Sequence, residues 1–454
     1  MTTAPPPPPP ADAAEDLWPA PVHEPSVPLD ARVRVPGSKS LTNRHLLLAA
    51  IADGPSVLTG ALESRDSRLM MEALGLLGAS FESEGERLRV SPIGPGGRAA
   101  SSGPLEIHTG LAGTVMRFLP PLVAALGVEA RFDGDPYARR RPMGPVIEAV
   151  RQLGAEVQDE GRGALPFTVR PASSSAPGAG PVEVRIDASG SSQFLSAVLL
   201  SGCLLPGGVR VTHLGDSVPS LPHVRMTLEV LAEYGIRATE EGGRCWTVEA
   251  GVPRAHDVVV EPDLSNAGPF VAAAVVTGGR VAVPDWPEAT TQGGDHWREI
   301  LPRFGAQVRR EGIDLVVTGD PETASALPGI EIDLSEAGEL APTVAAIAAL
   351  ASGPSRLTGI AHLRGHETDR LKALVAEIRR LGGEAAELPD GIEITRPVSA
   401  GGVFRTYEDH RMATAAAVIG LRVPGVEVEN IATTAKTLPD FPEMWARMLT
   451  GGGA

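Results

Sequence analysis

The sequence predicts an α/β chain made of a repeated strand–helix unit and divided into two domains. Three observations carry that prediction. The 454 residues are 43% hydrophobic, enough for a sizeable interior but too many for a single core. Five segments of one type, "LGLLGA", "VRQLGA", "LAEYGI", "LPRFGA" and "IRRLGG", share a glycine at Gly78, Gly154, Gly235, Gly305 and Gly382, spaced about 70–80 residues apart and placed as helix C-caps. Six β-like stretches each run into a polar loop and then into a short segment that is apolar nearly all round, the mark of a buried helix.

Taken in order, the strand-to-loop passages are "ARVRVPGSKS", "PLEIHTGLAGT", "VEVRIDASGSSQ", "HDVVVEPDLSN", "GIEIDLSEAGE" and "GVFRTYEDHR". The segments that follow are "LLLAAIA", "MRFLPPLVAAL", "FLSAVLLSGCLL", "FVAAAVV", "VAAIAALA" and "MATAAAVIGL". The fourth passage, at Glu261 to Asn266, restarts the pattern midway, so three units precede it and three follow. The expected domains are residues 37–260 and residues 261–454, the second completed by residues 25–36, with a site in the cleft between them.

Composition narrows the function. Forty Lys and Arg stand against 56 Asp and Glu, a net charge of −16, which disfavours nucleic acid or an anionic membrane as partner. Cys203 and Cys245 lie far apart with no Cys/His cluster, so neither a metal nor a disulfide framework is expected, and a cytoplasmic location fits. Residues 1–24 carry a proline run without a basic or apolar leader and are expected to be a disordered tail. No uninterrupted apolar stretch reaches the roughly 20 residues of a membrane span.

Polar residues at helix mouths are ordinary caps, but cations there are not. A helix N-terminus already carries partial positive charge, so Lys39, Arg44, Arg117 and Arg411 in the first turns are unfavourable until an anion arrives. "PGSKS" is not a phosphate-binding P-loop, because no glycine directly precedes Lys39. "GLAGT" offers small residues for close approach, and Ser191, Ser192 and Gln193 of "SGSSQF" offer hydroxyls and an amide to a phosphate. Of Arg139, Arg140 and Arg141, the last is the candidate clamp, since the residue before a proline is conformationally restricted. Glu367 and Arg370 in "RGHETDRL", and His410, Arg411 and Lys436 further on, add charge beside apolar helices.

In that order, "PGSKSLTNR", "GLAGTVMR", "SGSSQF", "GHETDRL", "YEDHRMA" and "TAKTLPDF" resemble the 5-enolpyruvylshikimate-3-phosphate synthases, of the enolpyruvyl transferase family, from about residue 30 to about residue 445. The resemblance implies an α/β (α+β) fold of two similar domains, each of three βαβαββ units. It implies transfer of the enolpyruvyl group of phosphoenolpyruvate to the 5-hydroxyl of shikimate 3-phosphate, through a tetrahedral intermediate, in aromatic amino-acid biosynthesis. No cofactor or metal, no nucleic acid and no membrane partner is implied, and a monomer is expected. By motif position Lys39, Ser40, Arg44, Ser191, Ser192, Gln193, Ser220, Glu339 and His366 look like contacts to shikimate 3-phosphate. Lys39, Gly113, Arg141, Arg370, Arg411 and Lys436 look like contacts to phosphoenolpyruvate, with glyphosate expected in the same subsite. Glu339, Glu367 and Lys39 are the candidates for proton transfer, and the sequence does not rank them.

The chain departs from many of those proteins in having Glu339 for aspartate, His366 for lysine and Leu111 for asparagine. Two rival readings are an enolpyruvyl transferase acting on UDP-N-acetylglucosamine, which typically uses a reactive cysteine, and a non-catalytic scaffold. Cys203 sits in an apolar helix and Cys245 in a strand, which suits neither to thiolate chemistry. Carboxylates near anion-binding cations argue for catalysis over mere binding.

Overall fold

Six small sheets flanked by helices organise the residues that the computed structural model describes, 16–94, 103–171 and 180–451. The second unit shows the pattern: strand Leu105–His108, helix Gly113–Ala125, strand Ala130–Asp133, helix Gly144–Gln152, then the hairpin of Glu156–Gln158 and Phe167–Arg170. The first two strands pair parallel, and Phe167–Arg170 pairs antiparallel with both Ala130–Asp133 and Glu156–Gln158. The third and fifth units repeat this order, opening with Val182–Ile186 and Glu331–Asp333. Each shared glycine after a unit's second helix has positive φ, from 75° at Gly235 to 112° at Gly78, which is why glycine recurs there.

The first and fourth units exchange their opening strands. Val258–Val259 lies parallel to Ser56–Thr59, while Asp30–Arg32 lies parallel to Arg280–Val283. The chain therefore crosses twice between the two halves, and the crossings meet in a bridge between Gly37 and Pro262. A side chain at position 37 would collide with the Gly60 carbonyl, so only glycine lets the first crossing pass the end of strand Ser56–Thr59. Buried apolar side chains form two separate clusters, one from residues 41–260 and one from residues 20–35 with 264–448. The central helices Gly113–Ala125, Gln193–Gly202, Gly268–Thr277, Ala341–Ala348 and His410–Gly420 are buried along almost their whole length. Their apolar residues on every face follow from having packed neighbours on every face.

The sixth unit differs. Its strands Gly402–Phe404 and Val426–Glu429 are joined by Leu17–Pro19, antiparallel to the latter, in place of a following hairpin. That corrects the expected tail over residues 1–24: residues 1–15 lie outside the described residues, but Leu17–Pro19 is a strand. The Trp18 ring sits 6.4 Å from that of Phe441, and the backbone N–H of Asn430 donates to the Asp16 carbonyl at 2.7 Å. The apolar pair Leu17 and Trp18 supplies burial that the proline-dominated average of the stretch conceals. Among the described residues no helix is long and apolar enough to cross a membrane.

Candidate active site

Helix N-termini from both halves point into one cleft between the two clusters. The helix Lys39–Ala50 brings Lys39 and Ser40 to it, Gly113–Ala125 brings Gly113, Thr114 and Arg117, and Gln193–Gly202 brings Gln193 behind Ser191 and Ser192. Neither Ala112 nor Ser192, the residues preceding the last two helices, caps its helix with its own side chain. Ser220, at a left-handed φ of 52°, precedes helix Pro222–Glu233 and lines the same cleft with His223. From the other half come Glu339, His366, Glu367, Arg370 and Arg411, together with His362 and His410.

Charge is concentrated and partly unmatched there. The Lys39 ammonium lies 3.4 Å from the buried Asp66 carboxylate, longer than a charge-assisted hydrogen bond. Arg117 donates to Gln193 Oε1 at 2.8 Å and to Ser191 Oγ at 3.3 Å, and its guanidinium stands 4.9 Å from the Phe194 ring centre. Arg141 is extended, with ψ of 135° ahead of Pro142, and donates from Nη1 to the Leu111 carbonyl at 3.0 Å. Its neighbours in sequence are surface residues, Arg139 paired with Asp133 and Arg140 stacked on Tyr137. The Nε atoms of both Arg117 and Arg141 are buried without a hydrogen-bond partner among the described residues. Burial lowers the pKa of Arg117, helped by Arg141, and burial lowers that of Arg141, opposed by Glu367 and Asp66. Crowded, desolvated guanidiniums of this kind are relieved by an arriving anion.

The carboxylates are tightly held. Glu367 accepts from Lys436 Nζ at 2.6 Å and meets His410 Nδ1 at 3.1 Å. Burial alone would raise its pKa, but Lys436, His410 and Arg370 hold it well below the usual carboxylate range. Glu339 accepts from Ser265 Oγ at 2.7 Å and faces His223 Nε2 at 2.9 Å, a contact from one half to the other. Burial opposes its ionisation too, and His223, Arg411 and Ser265 overcome that opposition. Arg370 is clamped by Asp409 through two hydrogen bonds of 2.7 and 3.1 Å, and Asp409 also caps helix His410–Gly420 through the Arg411 N–H. Two successive left-handed residues, Tyr407 and Glu408 at φ of 55° and 59°, turn the chain into that cap, and Tyr407 Oη donates to Glu377 at 2.6 Å. Glu367, Asp409 and His410 bring ligand-type atoms within 4.8 Å of one another, but Lys436 and Arg370 already neutralise the two carboxylates.

A family model described as EPSP synthase (3-phosphoshikimate 1-carboxyvinyltransferase) matches residues 23–445. The chain belongs to the EPSP synthase family. A 3-phosphoshikimate 1-carboxyvinyltransferase of Kocuria rhizophila is 57% identical over 449 residues, covering 97% of this chain and 98% of that protein. A solved EPSP synthase from Acinetobacter baumannii is 25% identical with a TM-score of 0.76, over 95% of this chain and 97% of that one. The enolpyruvyl transferase NikO from Streptomyces tendae, 18% identical with a TM-score of 0.70 over 94% and 96% of the two chains, shares the fold.

Two sequence-expected site residues stand apart from the cleft lining of this EPSP synthase family member. Arg44 is buried beneath it, donating to Thr227, Ser196 and the carbonyls of Ser40 and His223, with its guanidinium 5.3 Å from the Phe118 ring centre. Four of the roughly five N–H donors of a guanidinium are thereby engaged within the protein. Lys436 stands behind Glu367 and acts on the cleft through it. His366, beside Arg370, His362, Arg141 and Arg117, has its pKa driven well below the ordinary value by burial first and those neighbours next, so it offers a neutral ring where a lysine would offer charge. His223, His362 and Thr114 line the cleft without having been singled out by sequence, and Arg117 and His410, singled out as charged groups at helix mouths but given to neither substrate, line it too. For Arg117 and His410 the signal was available, as each follows a helix-mouth motif; His362 lies in a turn with no such pattern.

Proposed function

We propose that this chain transfers the enolpyruvyl group of phosphoenolpyruvate to the 5-hydroxyl of shikimate 3-phosphate, giving 5-enolpyruvylshikimate 3-phosphate and phosphate. The observation that carries the reading is the convergence of Lys39, Arg141, Arg370 and Arg411 with Glu339 and Glu367 on one cleft. Two anions need several cations, and the chemistry needs proton transfer at both an oxygen and a carbon. Arg141, Arg370 and Arg411 with the Gly113 N–H hold phosphoenolpyruvate, Lys39 reaches both substrates, and Lys436 sets the charge of Glu367. Ser40, Ser191, Ser192, Gln193 and Ser220 cradle shikimate 3-phosphate, with Glu339 and His366 facing its ring and Arg44 supplying at most its remaining donor. The anionic Glu367 lies against Lys436 and His410 and relays a proton from those groups to the phosphoenolpyruvate methylene carbon. Residues 37–260 form one domain and residues 25–36 with 261–454, completed by the strand Leu17–Pro19, the other, and the enzyme works as a cytoplasmic monomer.

Incubation with both substrates should release phosphate, and omission of either should abolish it. Binding of both without release would leave only an anion-binding scaffold. The rival reading on a UDP-sugar predicts inactivation by thiol alkylation. Cys203 is buried with its thiol pushed up to about 12 by burial, and Cys245 is half-buried beside Thr212. Iodoacetamide should therefore leave phosphate release unchanged; loss of turnover prevented by a UDP-sugar would favour the rival.

A methyl added at Gly113 would lie 3.0 Å from Arg141 Nη2 and 3.3 Å from Gln193 Oε1. Gly113→Ala should then push the guanidinium out of line, raising the inhibition constant of glyphosate and, to a smaller extent, the KM for phosphoenolpyruvate. Steady-state inhibition assays check this, and an unchanged constant would remove Gly113 from the subsite.

A further inference from the structure

We propose that Glu377, a carboxylate outside the cleft, acts with Tyr407 as a positioning residue for the phosphoenolpyruvate subsite, by holding the turn Arg405–Asp409 whose far end aims Arg370 and fixes Arg411. The inference rests on the reaction proposed above and names the groups that set the geometry of one of its subsites.

Glu377 does not line the cleft. It lies in helix Arg370–Arg380, about two turns beyond Arg370 and so on the same side of the helix. Its side chain is fully buried, and burying a carboxylate is costly unless both oxygens are bonded. Oε1 accepts from Tyr407 Oη at 2.6 Å, and Oε2 accepts from the Arg405 N–H at 3.0 Å and from Arg380 Nε at 2.9 Å. Arg380 belongs to the same helix, whereas the other two donors both belong to the turn. Burial, and then Glu377, raises the pKa of Tyr407 above its ordinary value, so the phenol remains a donor.

That turn needs an external hold. Tyr407 and Glu408 are successive left-handed residues and neither is glycine. Side chains of their size keep that conformation only where surrounding contacts impose it. Besides Glu377, the contacts are Glu429, which accepts from the Thr406 N–H at 3.3 Å, and Asn430 Nδ2, which donates to Glu408 Oε1 at 3.2 Å. Of these holds, Glu377 is the one carried by the helix that begins with Arg370.

The turn ends by returning to that helix. The Asp409 N–H donates to the Thr406 carbonyl at 3.0 Å, and the Asp409 carboxylate takes Arg370 Nε and Nη2 while accepting from the Arg411 N–H. A closed ring results: Arg370, along the helix to Glu377, across to Tyr407, round to Asp409 and back to Arg370. Asp409 occupies two of the guanidinium nitrogens, so Nη1 is left for a ligand, and a displaced turn displaces that atom. Ser40, Ser191, Ser192 and Gln193, given above to shikimate 3-phosphate, stand on elements of the other half. Disturbing the ring should therefore weaken one substrate and spare the other.

Tyr407→Phe removes the hydroxyl at a half-buried position, keeps the ring and leaves Glu377 bonded to Arg380 and Arg405. It should raise the KM for phosphoenolpyruvate and the inhibition constant of glyphosate in parallel, each by about 3- to 30-fold, the range of couplings carried through intervening residues. The KM for shikimate 3-phosphate should stay within about twofold. Glu377→Gln should act in the same direction, and the double variant should be no worse than the poorer single one, because both substitutions break one linkage. Denaturant unfolding reports on the fold, and Tyr407→Phe alone carries the test should Glu377→Gln not fold. The inference is overturned if the phosphoenolpyruvate KM is unchanged in Tyr407→Phe, if both KM values rise together, or if activity is lost only in proportion to the unfolded fraction. Additive effects of the two substitutions would overturn it as well. Absence of phosphate release from the wild-type enzyme is a different result, which defeats the reaction, and the positioning role with it, before any variant is compared.

Discussion

Arg141→Ala is expected to lower kcat/KM for phosphoenolpyruvate by roughly 30- to 4,000-fold, corresponding to about 2–5 kcal/mol for a buried charged contact at about 1.4 kcal/mol per decade. The guanidinium is buried, and among the described residues its Nε has no hydrogen-bond partner and only the Leu111 carbonyl is bonded to its Nη1. Most of its donor capacity thus awaits a ligand. Because the backbone is fixed by the turn Ala138–Arg140 before Arg141 and by Pro142 after it, truncation should leave the surrounding fold unchanged. Lys39→Ala belongs to the same class, with one difference: it also removes the cation nearest to buried Asp66. Steady-state kinetics on both, with a thermal melt as control, give the answer. An Arg141→Ala enzyme with near-wild-type kinetics and melting would take Arg141 out of the substrate site.

The sequence disclosed the repeat because it is written in local chemistry. A C-cap glycine needs positive φ whatever surrounds it, so Gly78, Gly154, Gly235, Gly305 and Gly382 mark helix ends independently of tertiary context. The cations at helix mouths were equally legible, since their local cost has no local remedy. What lay beyond reach was direction. Arg44 and Arg141 are alike as residues in motifs, yet one turns under Phe118 to tie helices together and the other lines the cleft. Partnership between halves was hidden too. His223 and Glu339 are 116 positions apart, and no periodicity relates them. Composition misled at the N-terminus, where ten residues dominated by proline outweighed the Leu17–Trp18 pair that completes the sixth sheet.

Arg370→Met should destabilise the protein by about 3–5 kcal/mol, the penalty for leaving one member of a buried ion pair without the other. The side chains of Arg370 and Asp409 are 3% and 0% exposed, so water cannot replace the lost partner. Asp409 would keep its bond to the Arg411 N–H but lose both guanidinium hydrogen bonds. Removing both charges, as in Arg370→Met with Asp409→Asn, should recover much of that stability, because an amide still caps the helix and no ion is stranded. Activity should follow a different rule. If Arg370 also binds phosphoenolpyruvate, the double variant regains stability and remains as inactive as the single one. Denaturant unfolding combined with kcat/KM on the two variants separates the effects. Equal destabilisation of the single and double variants would show that the pair holds the fold by packing alone, and recovery of activity with stability would show that Arg370 serves the cleft only by holding Asp409.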